Sequence, residues 1–170
     1  MTDCWLVIAA AGESSKSSIS RFMDENIWIY KDEPFDEPEN YFGFVYRITN
    51  NQTGKAYIGK KQFFSTTTKP PLKGYKRKRK ITKESDWRKY WGSSAFFKED
   101  VDQYGKASYT REILTLCTTK SHLTYEETRR LFIHNVLYER LANGDKKYFN
   151  GNISGKFHWR QEIEDSLLLG

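Results

Sequence analysis

The chain has 170 residues, 38% of them apolar and 16% aromatic, with a formal net charge of +6. Eleven Tyr, eleven Phe and five Trp can bury a real core, which excludes a wholly disordered chain, and the length suits one domain with a modest appendage. No run approaches the roughly 18 apolar residues of a membrane span, and the stretch from Trp5 to Ala11 lacks the basic flank of a signal peptide, so a soluble protein without a membrane partner is expected.

Residues 1–40 read as an acidic arm: positions 1–42 carry three basic and nine acidic groups. Gly12 and the serines at 14, 15, 17, 18 and 20 suggest a loose start. A short β-prone run, Asn26 to Tyr30, leads into a proline- and acid-rich surface connection, Asp32 to Glu39. The folded body is expected over 41–160, followed by a tail at 161–170. Hairpin, basic loop, helix, strand and helix in that order make it α+β. Cys4 and Cys117 are too few for a disulfide framework and have no zinc-ligand spacing, which fits a reducing, cytoplasmic compartment.

Gly43 to Thr49 (GFVYRIT) and Lys55 to Lys60 (KAYIGK) predict a hairpin around Asn50, Asn51, Gln52, Thr53 and Gly54. With Asn50 to Thr53 as the loop, Tyr46 pairs with Tyr57, Val45 with Ile58 and Phe44 with Gly59. The phenols then share one face, while Val45, Ala56 and Ile58 face a core. A cross-strand aromatic pair is the commoner reason for two such tyrosines. Gly59 beside them points further, because a strand tolerates glycine where a bulge or a ligand such as phosphate needs the space.

Positions 55–90 hold thirteen Lys or Arg against Glu84 and Asp86. With Phe63, Phe64, Tyr75 and Trp87 interleaved, this block suits a polyanion, and DNA is the natural partner. A solvated basic loop, or a localisation signal in Lys76 to Lys80, is the plainer alternative. Glu84 to Trp91 predicts a helix capped by Ser85 or Asp86, with Trp87 and Trp91 inward. Phe96, Phe97, Val101 and Tyr104 predict the buried face of a helix ending near Gly105, and Ile113 to Leu116 a central strand. On a helix expected over 124–138, Glu126 pairs with Arg129 and Arg130 as a solvated structural group. Glu127 instead lies in line with Leu131, beside a stripe of Thr128, Phe132 and Val136, and aims at the body. Asn150 before Gly151 reads first as a turn, and His122, His134 and His158 fit no metal spacing.

Phe44-Val45-Tyr46 and Tyr57-Ile58-Gly59, with ten residues between the tyrosines, resemble the paired signature of the GIY-YIG nucleases. Phe44 stands where that family has glycine, and Gly43 precedes it by one. Ser85 to Ser94 (SDWRKYWGSS), Tyr125 to Thr128 (YEET) and Asn150 to Phe157 (NGNISGKF) are similar to segments of phage-borne, free-standing members. The resemblance spans roughly Tyr41 to Arg160. It implies a small antiparallel sheet of about three strands flanked by helices, and hydrolysis of DNA without a covalent intermediate. Tyr46 would be the general base and Tyr57 would orient water or phosphate, with Gly59, Lys60 and Lys61 close to the substrate. The family arginine would be Arg88, or else Arg77 or Arg79 reaching in from the basic loop, and Tyr90 would take the place of a family histidine. Glu127 would hold a single Mg²⁺ or Mn²⁺ ion, and Asn150 would order the site or the phosphate. A homodimer on DNA, or sequential nicks, would be needed for a double-strand break. The rival reading is a catalytically silent DNA-binding module, for which Phe44 is the best argument.

Overall fold

The structure, a computed structural model, describes residues 27–168 apart from Tyr75; the serine-rich start, Cys4 and Tyr75 lie outside the described residues. Its main sheet contains β1 (Trp28–Tyr30), β2 (Glu33–Pro34), β3 (Gly43–Asn50), β4 (Ala56–Gln62) and β7 (Tyr109–Cys117), in the order β2-β1-β7-β3-β4. The sheet is therefore larger than the three strands expected, and mixed, because β1 runs parallel to β7 while the other pairs are antiparallel. Residues 28–34, read from the sequence as part of the arm, supply the extra strands. Trp28 gives the physical reason: it is buried, its indole 5.0 Å from Phe44 and 5.2 Å from Tyr46, so pairing β1 on β7 brings it over the aromatic side chains of β3.

Both faces of the sheet are covered. Phe44, Tyr46 and Ile48 of β3 point into an aromatic core with Trp28, Phe63, Trp87, Phe97 and Tyr109, whereas Val45, Ala56 and Ile58 point to a second core with Cys117, Leu123 and Leu131. Phe44, at the position where the resemblance expects glycine, is thus a packing residue, fully buried among Trp28, Phe63 and Trp87.

The hairpin register differs from the expected one by two residues. Tyr46 lies opposite Gly59 and Ile48 opposite Tyr57. The turn is responsible: Asn50 Oδ1 accepts from the backbone N–H groups of Gln52 and Thr53, and the Asn50 N–H donates to the Lys55 carbonyl at 2.8 Å. Asn50 therefore stays in the strand, and the four-residue loop begins at Asn51. An even shift keeps every side chain on its face, so the phenols remain neighbours along a diagonal, their rings 6.2 Å apart.

Residues expected to form a basic loop instead form a hairpin of β5 (Phe64–Lys69) and β6 (Arg79–Glu84), a separate two-stranded ribbon. The helix expected over Glu84 to Trp91 is a single 3₁₀ turn, Trp87–Lys89, with no side-chain cap from Asp86. Helix α1 (Ala95–Tyr104) starts at a Ser94 cap and ends at Gly105; it buries Phe97 and Val101 but leaves Phe96 74% exposed, contrary to its expected place in the core. Helix α2 (Lys120–Ile133) begins earlier than expected because the Thr119 hydroxyl caps it through the His122 N–H. It stops at Ile133, where the chain turns through Asn135 at φ 45°. Leu123 and Leu131 face the core, and Phe132 packs outward against Phe157. A short strand pair, β8 (Asn152–Ile153) with β9 (Phe157–His158), follows, and residues 161–168 of the expected tail form α3 (Gln161–Leu168).

Candidate active site at the edge of strand β4

Strand β4 is an edge of the main sheet, and an unpaired edge needs cover. Residues 147–150 provide it: the Ala56 N–H donates to the Lys147 carbonyl at 2.8 Å, and the Phe149 N–H to the Ala56 carbonyl at 2.9 Å. One step on, the Asn150 side chain takes over from the backbone. Its Oδ1 accepts from the Ile58 N–H at 3.0 Å and its Nδ2 donates to the Ile58 carbonyl at 2.7 Å. Asn150 therefore clamps β4 between Tyr57 and Gly59. Replacing it with Ala leaves both Ile58 groups without their partner and should cost about 1–3 kcal/mol, measurable by urea denaturation. Asn150→Asp keeps the acceptor for the Ile58 N–H but turns a carboxylate oxygen on the Ile58 carbonyl, and should cost at least as much as Ala.

A cavity of about 460 Å³ opens at this edge, lined by Tyr57, Ser93, Phe96, Glu127, Asn150 and Ser154 among others. Tyr57 enters it from the phenol face of β4, with its hydroxyl 3.3 Å from Ser93 Oγ and its ring stacked on Phe97. Glu127 enters from α2, on the other face. Tyr46 lies deeper, 1% exposed, with its ring crossing Gly59. A Cβ on Gly59 would lie 2.6 Å from the Tyr46 hydroxyl oxygen and 3.2 Å from the Tyr57 ring, so the missing side chain makes room for the phenols themselves. Gly92, at φ +81°, does the same for the outer edge of Tyr57.

The electrostatics of the two phenols follow from this depth. Burial pushes the Tyr46 pKa well above 10, and the neighbouring Tyr57, Tyr90 and Glu127 act in the same direction. Tyr57 is also raised, chiefly by burial, although its contact with Ser93 opposes the shift. Arg111 is a buried positive charge coupled to Tyr46. It is 2% exposed on β7, its guanidinium lies 4.1 Å from the Trp28 ring, and it donates to the Arg88 carbonyl at 2.7 Å. Its Nε has no partner among the described residues, and burial lowers its pKa to about 10 while Tyr46 pulls it upward. The sequence reading did not single out Arg111. The signal was present, since Arg111 shares the phase of the buried Tyr109 and Ile113 in a strand, an unusual position for arginine.

The cations divide between the two faces of β4. Lys60 reaches Glu127 Oε2 at 2.8 Å and the Thr124 hydroxyl at 3.3 Å. Lys61 lies 3.8 Å above the Tyr90 ring and pairs with Asp86. Arg88 is not brought to the cavity: its guanidinium sits 4.5 Å from the Trp87 ring and contacts Glu84 at 3.2 Å and Asp36 at 3.3 Å. Arg79 opens β6 and Arg77 lies in the connection before it, beside Leu72 and Lys78. Glu126 is paired as expected, through a two-point contact with Arg129, but it is buried and not solvated.

Among the described residues no cluster of three or more metal-binding side chains occurs. A lone carboxylate bordering a roomy cavity that also holds Ser93, Asn150, Asn152 and Ser154 does fit a hard divalent cation that keeps most of its ligands as water, as Mg²⁺ does. Glu127 is such a group, held by one lysine.

The chain belongs to the GIY-YIG endonucleases, hydrolases of phosphodiester bonds, because a family model matches residues 28–153, from the first residue of β1 to the last of β8. That model is described as "Putative endonuclease segE, GIY-YIG domain". No curated protein and no solved structure matches the chain. Among the described residues no helix is long and apolar enough to cross a membrane.

Proposed function

We propose that the protein is a divalent-metal-dependent DNA endonuclease acting at the edge of β4, with Tyr46 as general base, Tyr57 orienting the attacking water or the phosphate, and Glu127 holding the metal. The observation that carries this reading is that Tyr57 and Glu127 line one cavity, with the Tyr46 ring 6.2 Å behind Tyr57, in a chain of this family. To take a proton from water, Tyr46 must be a phenolate at the moment of attack. Its raised pKa keeps that fraction small at neutral pH, and the buried charge of Arg111 offsets part of the cost. When bound at Glu127, Mg²⁺ or Mn²⁺ supplies positive charge to the phosphoryl oxygens and acidifies water. Lys60 reaches Glu127 and Lys61 lies over the Tyr90 ring, both from β4 itself, so we give them the scissile phosphate. Arg88 could serve it only by leaving Glu84 and Asp36. Phe96, exposed at the rim, offers a flat surface to a sugar or a base.

The test is incubation of supercoiled plasmid with purified protein in Mg²⁺, in Mn²⁺ and with chelator, alongside a gel shift. Cutting that requires metal is expected. Binding without cutting in either metal would favour the silent DNA-binding module.

A further inference from the structure

The β5–β6 hairpin has no evident structural purpose within the protein. Its six residue pairs run from Phe64 opposite Glu84 to Lys69 opposite Arg79, and of its twelve residues only Ile81 is partly buried. A two-stranded ribbon with neither face on a core is marginal by itself, so its side chains are available to something outside. Its charge names the occupant. Residues 64–84 hold eight Lys or Arg and one acid, Glu84, and Glu84 is held at the ribbon's base by Trp87 Nε1 at 2.7 Å and Arg88 Nε at 3.2 Å.

We propose that this ribbon enters the major groove of duplex DNA and reads base edges with the face made by Ser65, Thr67, Lys69, Arg79, Ile81 and Lys83. The proposal rests on the DNA endonuclease reading and adds to it the element that selects the site. At about 3.3 Å per residue the strands run ~20 Å, and the groove, about 12 Å wide, admits a two-stranded ribbon. The two faces are unequal. On the opposite face the Thr66 and Thr82 hydroxyls are bound to each other at 3.1 Å, and the row ends on Glu84. The proposed reading face carries no acid. It offers Arg and Lys for guanine, Ser and Thr hydroxyls for any base, and the Ile81 and Thr67 methyls for thymine.

The ribbon is also tied to the cutting site. Phe63, between β4 and β5, is fully buried; the Ser85 N–H donates to its carbonyl at 2.8 Å, and the Ser85 hydroxyl to the Gln62 carbonyl at 2.6 Å. Both ribbon strands are thereby clamped to the end of β4, three to four residues beyond Gly59. Bases read by the ribbon should therefore lie at a fixed offset from the cut.

The experiment is selection of bound duplexes from a randomised library by the full chain, by Thr67→Ala/Ile81→Ala and by Thr66→Ala/Thr68→Ala, with cleavage mapped on the selected sites. All four positions are exposed or nearly so, and thermal melts check that the variants fold. Wild type should enrich a short motif at constant distance from the cut. Thr67→Ala/Ile81→Ala should relax discrimination at one or two base pairs by about fivefold or more, with non-specific affinity within about twofold. The Thr66→Ala/Thr68→Ala control should retain the motif. No motif, a motif unchanged in the reading-face variant, loss in the control alone, or preference for RNA or anionic vesicles over duplex DNA would each overturn the proposal. If wild type selects a motif that the reading-face variant loses, but cuts nothing, the ribbon proposal stands and the nuclease mechanism fails.

Discussion

Tyr46→Phe is expected to lower the single-turnover cleavage rate by about 10²–10⁴-fold while leaving DNA affinity in place, because a positioned general base contributes on that scale. Phe keeps the ring that packs on Trp28 and Tyr90, so the thermal midpoint should barely move and lost activity cannot be blamed on unfolding. The pH dependence gives an independent readout. The active form is the phenolate, burial raises the Tyr46 pKa well above 10, and below that pKa the phenolate fraction grows tenfold per pH unit. The wild-type rate should therefore climb without a plateau from about pH 6 to pH 9. Arg111→Met removes the buried positive charge and should slow cleavage across this range, whereas Arg111→Lys, which keeps a charge, should recover part of the loss. Cutting by Tyr46→Phe within about twofold of wild type, or a flat profile, would remove Tyr46 as the base.

The parts of this site that could be read from the sequence depend on short-range rules. The hairpin was legible because Gly43 to Lys60 carries β-prone runs around a cluster of turn formers. The turn was misplaced because Asn50 binds the loop through its side chain while its backbone stays in the strand. The error did no harm to the phenol pair, since a two-residue shift preserves the face and a one-residue shift would have separated the rings. Glu127 was legible from its phase with Leu131, and the structure brings it to the same cavity as Tyr57. Long-range partners decided the rest. Nothing near Trp28 announces a parallel partner more than eighty residues away in β7. The family resemblance points to Arg88, but Glu84 and Asp36 hold its guanidinium against the Trp87 ring, and it does not line the cavity. The ribbon was hidden because FSTTTK and RKITKE lack the apolar alternation that marks a strand resting on a core; only their threonines hint at β structure.

Glu127→Gln should abolish metal-dependent cutting, with a loss of at least about 10²–10³-fold, because the cation that it holds is worth several kcal/mol to a phosphoryl transition state. The substitution is nearly isosteric. Lys60, already about one-third exposed, can turn to solvent once its partner is neutral, so the stability cost should stay within about 1 kcal/mol. A metal titration of the rate separates a ligand from a mere ion-pair partner. If Glu127 binds the cation, the 2.8 Å contact with the Lys60 ammonium competes with it. Lys60→Gln should then shift the Mg²⁺ midpoint to lower concentration, even where the maximal rate falls through loss of a phosphate contact, and Glu127→Gln should shift it to higher concentration or beyond reach. Opposite shifts in the two variants follow from a carboxylate shared between lysine and metal. Equal midpoints in wild type and Glu127→Gln, at any maximal rate, would place the cation elsewhere and leave Glu127 as the residue that anchors Lys60 against α2.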